Sequence, residues 1–186
     1  DILRGIEDLG EMAVAARGGF VGRLRMGVIP TIAPYLLPRI IGTLVEAYPR
    51  TDVQIRESMT SRLLEELGEG RIDCALLALP VSEPSFEEVP LCAEPMLLVR
   101  HQSARHEPMP TVDSLRDMRL LLLEEGHCFR DQALSFCKLL PSNRWDGLDG
   151  SSLSTLVQMV AAGIGVTLIP EIAVPVETRS TDVVVH

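Results

Sequence analysis

Strand-like and helix-like periodicities alternate from one end of this sequence to the other, which restricts the chain to an α/β architecture. Asp1 to Arg17 places Ile2, Ile6, Leu9 and Ala13 on one helical face, and Gly18-Gly19 stops that helix. A strand opens at Gly22 and runs to about Ile29. Leu36, Leu37, Ile40, Ile41, Leu44 and Val45 then recur at helical spacing, with Pro34 and Pro38 in the first turns, where proline is tolerated. Val53 and Ile55 alternate against Gln54 and Arg56 as a strand. Leu63, Leu64 and Leu67 mark a short helix ended by Gly70, and an apolar strand follows from Ile72 to Leu79. Continuous apolar strands between helices predict a parallel sheet covered on both faces.

Pro80 to Pro90 is a polar loop, and Glu94-Pro95 with the strand Met96 to Val99 begins a second lobe. That lobe holds a His/Pro-rich loop (101–110), a buried strand Leu120 to Leu123, and a helix from Phe129 to Leu140. A further helix spans Ser152 to Ala162, followed by Gly163-Ile-Gly165 and the strand Val166 to Ile169. The final Asp182-Val-Val-Val-His186 has the pattern of a buried strand, an unusual place for a natural terminus. Truncation is therefore expected there, and at Asp1 as well.

Charge and composition narrow the function. At 46% hydrophobic residues, 186 residues suffice for one core or two small lobes. No apolar run reaches the roughly 18 residues that span a membrane, and no start resembles a signal peptide; a cytoplasmic location is expected. The formal charge of −9 repels a phosphate backbone, so these residues alone should not bind nucleic acid. Four cysteines (Cys74, Cys92, Cys128, Cys137) do not form a secreted disulfide framework. The default for each is a small buried hydrophobe. Cys74, inside an apolar strand, and Cys92 are read that way.

Cys128 departs from the default. In Glu124-Glu-Gly-His-Cys128-Phe-Arg-Asp-Gln-Ala-Leu-Ser-Phe-Cys137, Gly126 ends a strand, and Phe129, Ala133, Phe136 and Leu140 recur at helical spacing. Cys128 thus falls at a helix amino terminus, where unpaired N–H groups favour an anion. Arg130 and His127 would add positive charge. A thiolate, the form that reacts with oxidants, is favoured in such a setting. Cys137 lies nine residues on, about 13 Å along a continuous helix, whereas a disulfide needs Cα atoms within roughly 7 Å. Bonding the two would unwind the segment and make a redox switch; two ordinary half-buried cysteines are the competing reading.

Thr31, Thr60 and His127-Cys128 each follow the carboxyl end of a strand, where doubly wound sheets bind ligands. Helix capping is the alternative for both threonines. No metal site is expected, because His127 and Cys128 lack a suitably spaced second pair. No cofactor is expected either, since Gly163-Ile-Gly165 lacks the rest of a dinucleotide fingerprint.

Several of these segments resemble the effector-binding domain of LysR-type transcription regulators. Gly22-Arg-Leu-Arg-Met-Gly27 is similar to that family's opening strand, and Leu67-Gly-Glu-Gly-Arg-Ile-Asp-Cys-Ala-Leu76 to its glycine, apolar, aspartate motif. Glu94-Pro-Met-Leu-Leu-Val99 resembles its crossover strand, and Met159-Val-Ala-Ala-Gly-Ile-Gly-Val-Thr-Leu-Ile-Pro170 its late glycine-rich signature. Within the family, Gly126 to Cys137, Ile29 to Pro38 and Glu57-Ser-Met-Thr60 resemble the hydrogen-peroxide-sensing branch.

The resemblance implies two Rossmann-like lobes around a cleft, like a periplasmic binding protein. Residues 1–21 would be the end of a linker helix and its connection, 22–93 regulatory lobe I and 94–186 lobe II. It implies that hydrogen peroxide oxidises Cys128 to a sulfenic acid captured by Cys137, with Thr31, Thr60 and His127 orienting the peroxide. It implies a homodimer assembling into tetramers, DNA contact only through an amino-terminal domain outside these residues, and glutaredoxin or thioredoxin as reductant. A stretch returning to lobe I, with an arginine near the site, would follow residue 186. The competing readings are a LysR-type domain sensing a small metabolite without thiol chemistry, a two-cysteine thiol peroxidase, and a solute receptor. The sensor, which is not an enzyme, is the expectation carried forward.

Overall fold

The structure, a computed structural model, describes residues 22–81, 83–115, 117–137 and 149–186; the helix expected over 1–17 and Trp145 lie outside them. The chain divides into two compact units, Asp1–Leu77 and Ala78–His186.

In the first unit β1 (Gly22–Val28), α1 (Ala33–Ala47), β2 (Thr51–Glu57), α2 (Thr60–Gly68) and β3 (Cys74–Leu76) follow one another as periodicity predicts. The sheet is parallel in the order β2-β1-β3, with Gly22 opposite Thr51, Val28 opposite Glu57, and Met26 opposite Cys74. Two residues of the opening strand and the glycine–aspartate motif explain why this register is held. A Cβ on Gly27 would stand 2.7 Å from Ile72 Cδ1 and 2.8 Å from Leu63 Cδ2, so any larger residue would make these two buried side chains shift for α2 and Ile72 to close onto β1. Arg25 Nη2 and Nε donate to the two carboxylate oxygens of Asp73 at 2.6 and 3.1 Å, and the Arg25 amide donates to the same carboxylate at 2.7 Å. Gly70, at φ +62°, makes the turn that delivers Ile72 to the core and Asp73 to this clamp.

The expected strand over Ile72–Leu79 shrinks to three residues, Cys74–Leu76, which pair with the last three residues of β1; just before them the Asp73 amide donates to the Arg25 carbonyl at 2.8 Å. Nor is the sheet covered evenly. β2 is its edge, and Ile55 is 36% exposed.

The second unit is built differently from the parallel sheet of the first. β4 (Met96–His101) lies between β7 (Thr167–Pro170) and β8 (Val183–Val185) and is antiparallel to both. Parallel pairing survives in the two-residue β5 (Leu122–Leu123) and β6 (Asp149–Gly150), and in a bridge from Leu120 to Val166. Two further short helices, α3 (Val112–Leu115) and α6 (Val174–Glu177), flank α4 (Cys128–Phe136) and α5 (Leu153–Ala161) in chain order. Leu98, Val99, Leu121, Leu123, Leu156, Val157, Val160 and Ile169 form the core. Ser152 caps α5, its hydroxyl accepting from the Thr155 amide at 3.2 Å.

Candidate functional site

The thiol-bearing helix is built by three local devices. Gly126, at φ +99°, turns the chain out of β5. His127 is extended (φ −81°, ψ 119°), and α4 begins at Cys128. Phe129, Arg130, Ala133 and Cys137 are buried, so the inward stripe runs 129/130, 133, 137. The stripe expected from sequence used Phe136 instead, and Phe136 is 50% exposed. Position 136 lies at the margin of the same face, three residues from Ala133, and burial of Arg130 and Cys137 shifts the inward stripe to its other side.

Cys128 is half-buried at the first position of α4, and Cys137 is fully buried at its carboxyl cap. The helix is unbroken between them, with the Cys137 amide donating to the Ala133 carbonyl at 3.0 Å. A rise of about 13 Å along such a helix keeps the sulfurs apart, and all four cysteines are free. The geometry is thus that of a dithiol. Burial pushes the Cys137 thiol up from its ordinary range, so it stays protonated at neutral pH.

The two positive charges expected beside Cys128 are placed otherwise. Arg130 is 4% exposed and its Nη1 donates to the Leu123 carbonyl and, at 3.0 Å, to Asp149 Oδ1. Its charge is spent on β5 and β6, inside the fold. His127 is also 4% exposed; burial pushes its imidazole down, with Glu124 opposing, so the ring is neutral at pH 7. Its Nε2 is buried without a hydrogen-bond partner among the described residues, a cost tolerated chiefly where a polar ligand or water completes the bond.

Thr31 and Thr60 stand at one edge of the first unit's sheet. β1 and β2 end in register at Val28 and Glu57, and each threonine follows three residues later. Thr31 is 5% exposed. Neither acts as the helix cap weighed from sequence: the capping positions are Ile32 and Met59, both without a side-chain bond. Thr60 Oγ1 is buried and unpartnered among the described residues, as His127 Nε2 is.

Of the remaining cysteines, Cys74 is half-buried in β3, and burial, reinforced by Asp73, pushes its thiol up. Cys92 is exposed rather than the filler expected, because the loop before Glu94-Pro95 packs on nothing that covers it. No cluster of metal-ligating side chains occurs among the described residues. Sequence reasoning missed Asp149, whose link to Arg130 spans nineteen residues.

The chain is thus an α/β protein of two units, the second carrying free thiols at both ends of α4. The family model for the LysR substrate binding domain matches residues 17–186, and the chain belongs to that family. Within it the chain is similar to OxyR proteins. It is 45% identical over 181 residues to a probable hydrogen peroxide-inducible genes activator of Streptomyces viridosporus, covering 95% of this chain and 58% of that one. It is 43% identical over 186 residues to the DNA-binding transcriptional dual regulator OxyR of Escherichia coli K12, covering 98% and 61%. The chain thus spans about three fifths of the length of these relatives. Among solved structures, a cysteine mutant of Corynebacterium glutamicum OxyR with hydrogen peroxide bound matches at TM-score 0.87 and 35% identity, covering 99% of this chain and 59% of that one. The regulatory domain of an OxyR2 mutant from Vibrio vulnificus matches at TM-score 0.80 and 36% identity, covering 89% and 80%.

Proposed function

We propose that this chain is the hydrogen-peroxide-sensing regulatory domain of a transcription regulator. The observation that carries the reading is the thiol pair on α4: Cys128 half-buried at the amino end, Cys137 buried at the other. The amino end of a helix favours an anion, and a thiolate is what attacks peroxide. The Cys128 thiolate attacks one peroxide oxygen, the O–O bond breaks, and the departing hydroxide takes up a proton. Cys128 becomes a sulfenic acid. The Cys137 sulfur then attacks the Cys128 sulfur, water leaves with the thiol proton, and a disulfide forms.

Two thiols have lost two electrons and one peroxide has become two waters. Thr31, Thr60 and His127 orient the peroxide; the unpartnered Thr60 Oγ1 and His127 Nε2 support that role. Thiol exchange with glutaredoxin or thioredoxin resets the pair. The domain is a stoichiometric sensor, not an enzyme, and needs no cofactor or metal.

Because Cys137 is buried and protonated at the far end of α4, capture requires α4 to unwind. That rearrangement is the signal. It is passed to DNA through a domain outside these residues, consistent with their charge of −9, within a homodimer that pairs into a tetramer. No described helix is long and apolar enough to cross a membrane, and we place the protein in the bacterial cytoplasm.

The test is trapping of the intermediate. With Cys137→Ser, a stoichiometric dose of peroxide should leave Cys128 as a sulfenic acid that dimedone labels. Absence of label on Cys128, with its thiol still free, would remove the reading.

A further inference from the structure

Arg130 is tied to both strands that flank the thiol helix. Its Nη1 donates to the Leu123 carbonyl at the end of β5 and, at 3.0 Å, to Asp149 Oδ1 at the start of β6. These strands have two residues each, joined by the Leu122–Asp149 and Leu123–Gly150 pairs and extended by a 3.0 Å bond from the Glu124 amide to the Gly150 carbonyl. So short a ladder has little stability of its own. Gly150 is held from the other side, where an added Cβ would stand 2.7 Å from Leu156 Cδ2. The Asp149 backbone is held by its pairing with Leu122, and its carboxylate neutralises a guanidinium that is 4% exposed.

Resting on the sensor reading above, we propose that the Arg130–Asp149 ion pair is a latch of the dithiol state. It makes Asp149 a positioning residue that holds the Cys128 end of α4 in its reduced arrangement. Arg130 is two residues beyond Cys128, in the first turn of α4, between the two thiols. A disulfide must bring Cα atoms that are about 13 Å apart in a continuous helix to within roughly 7 Å. Arg130 cannot keep its place in the first turn while that happens. The ion pair is made in the dithiol and broken in the disulfide, so it opposes oxidation.

Asp149 is the residue to change, because its side chain is 43% exposed, whereas removing Arg130 would empty a buried site. In the full-length protein, Asp149→Ala, Asp149→Asn and Asp149→Glu are equilibrated in mixtures of reduced and oxidised glutathione. Free thiols are alkylated and the Cys128–Cys137 peptide is quantified. Asp149→Ala should move the thiol–disulfide equilibrium about two- to fivefold toward the disulfide, the range for a part-exposed ion pair. Asp149→Asn should move it less, and Asp149→Glu should stay nearest wild type. Melting of the reduced form should fall in Asp149→Ala while that of the oxidised form holds. An unchanged equilibrium, or equal loss of melting temperature in both forms, overturns the latch. If the wild type forms no linked peptide at any ratio, the sensor reading falls and the latch with it.

Discussion

His127 shows how one buried ring sets a pH limit on this domain. Burial lowers its pKa in the folded state, so the folded chain binds fewer protons than the unfolded chain once pH drops below the ordinary histidine range near 6.5. The contribution is neutral above that range, where both states carry the uncharged ring. Stability falls as pH goes from about 6.5 toward the lower folded-state value. His127→Gln, which keeps a neutral polar side chain, should flatten this part of the profile. Urea midpoints at pH 7.5 and 5.5 measure it; an identical drop in wild type and variant would show that His127 is not the group responsible. The same burial argument separates the two thiols. Cys137 is sealed and burial holds its thiol protonated, while Cys128 is half-buried.

Among the elements, the turn after α5 is the most exacting. Gly163 has φ +75°, and a Cβ on Gly165 would lie 2.3 Å from the Arg119 carbonyl oxygen, which itself accepts from the Val166 amide at 2.9 Å. Backbone cannot step aside as a side-chain tip does. Gly165→Ala should therefore cost about 1–3 kcal/mol, seen as a lowered urea midpoint in thermodynamic unfolding; a loss under about 0.3 kcal/mol would mean that the Leu120–Val166 bridge is dispensable.

This glycine pair was legible as a tight turn into a strand. Likewise β1, α1, β2, α2 and α5 were legible because each carries a period of two or of 3.6 over a full length. What escaped has physical reasons. Strand direction leaves no mark on a period, so β4 gave no sign of its antiparallel partners β7 and β8. Apolar character alone lengthened β3, because a ladder extends only as far as its partner strand, and β1 ends opposite Leu76. At α4, a single-turn spacing argument chose Phe136 over Cys137, and a charged residue, Arg130, occupies the buried stripe. Its partner Asp149 lies on another strand, where no local rule points.

Over the whole chain, the residues proposed for the site fall into two groups: Thr31 and Thr60 at one sheet edge of the first unit, and His127, Cys128 and Cys137 in the second. The charge of −9 disfavours contact between these residues and a phosphate backbone. The account turns on one pair of thiols that the folded dithiol keeps apart. Its most direct test is peptide mass spectrometry of the reduced full-length protein after a near-stoichiometric dose of hydrogen peroxide, with free thiols alkylated. The account predicts a Cys128–Cys137 linked peptide, lost in Cys128→Ser, with Cys74 and Cys92 still alkylated. Four alkylated thiols at that dose, or a linkage through Cys74 or Cys92, would contradict it.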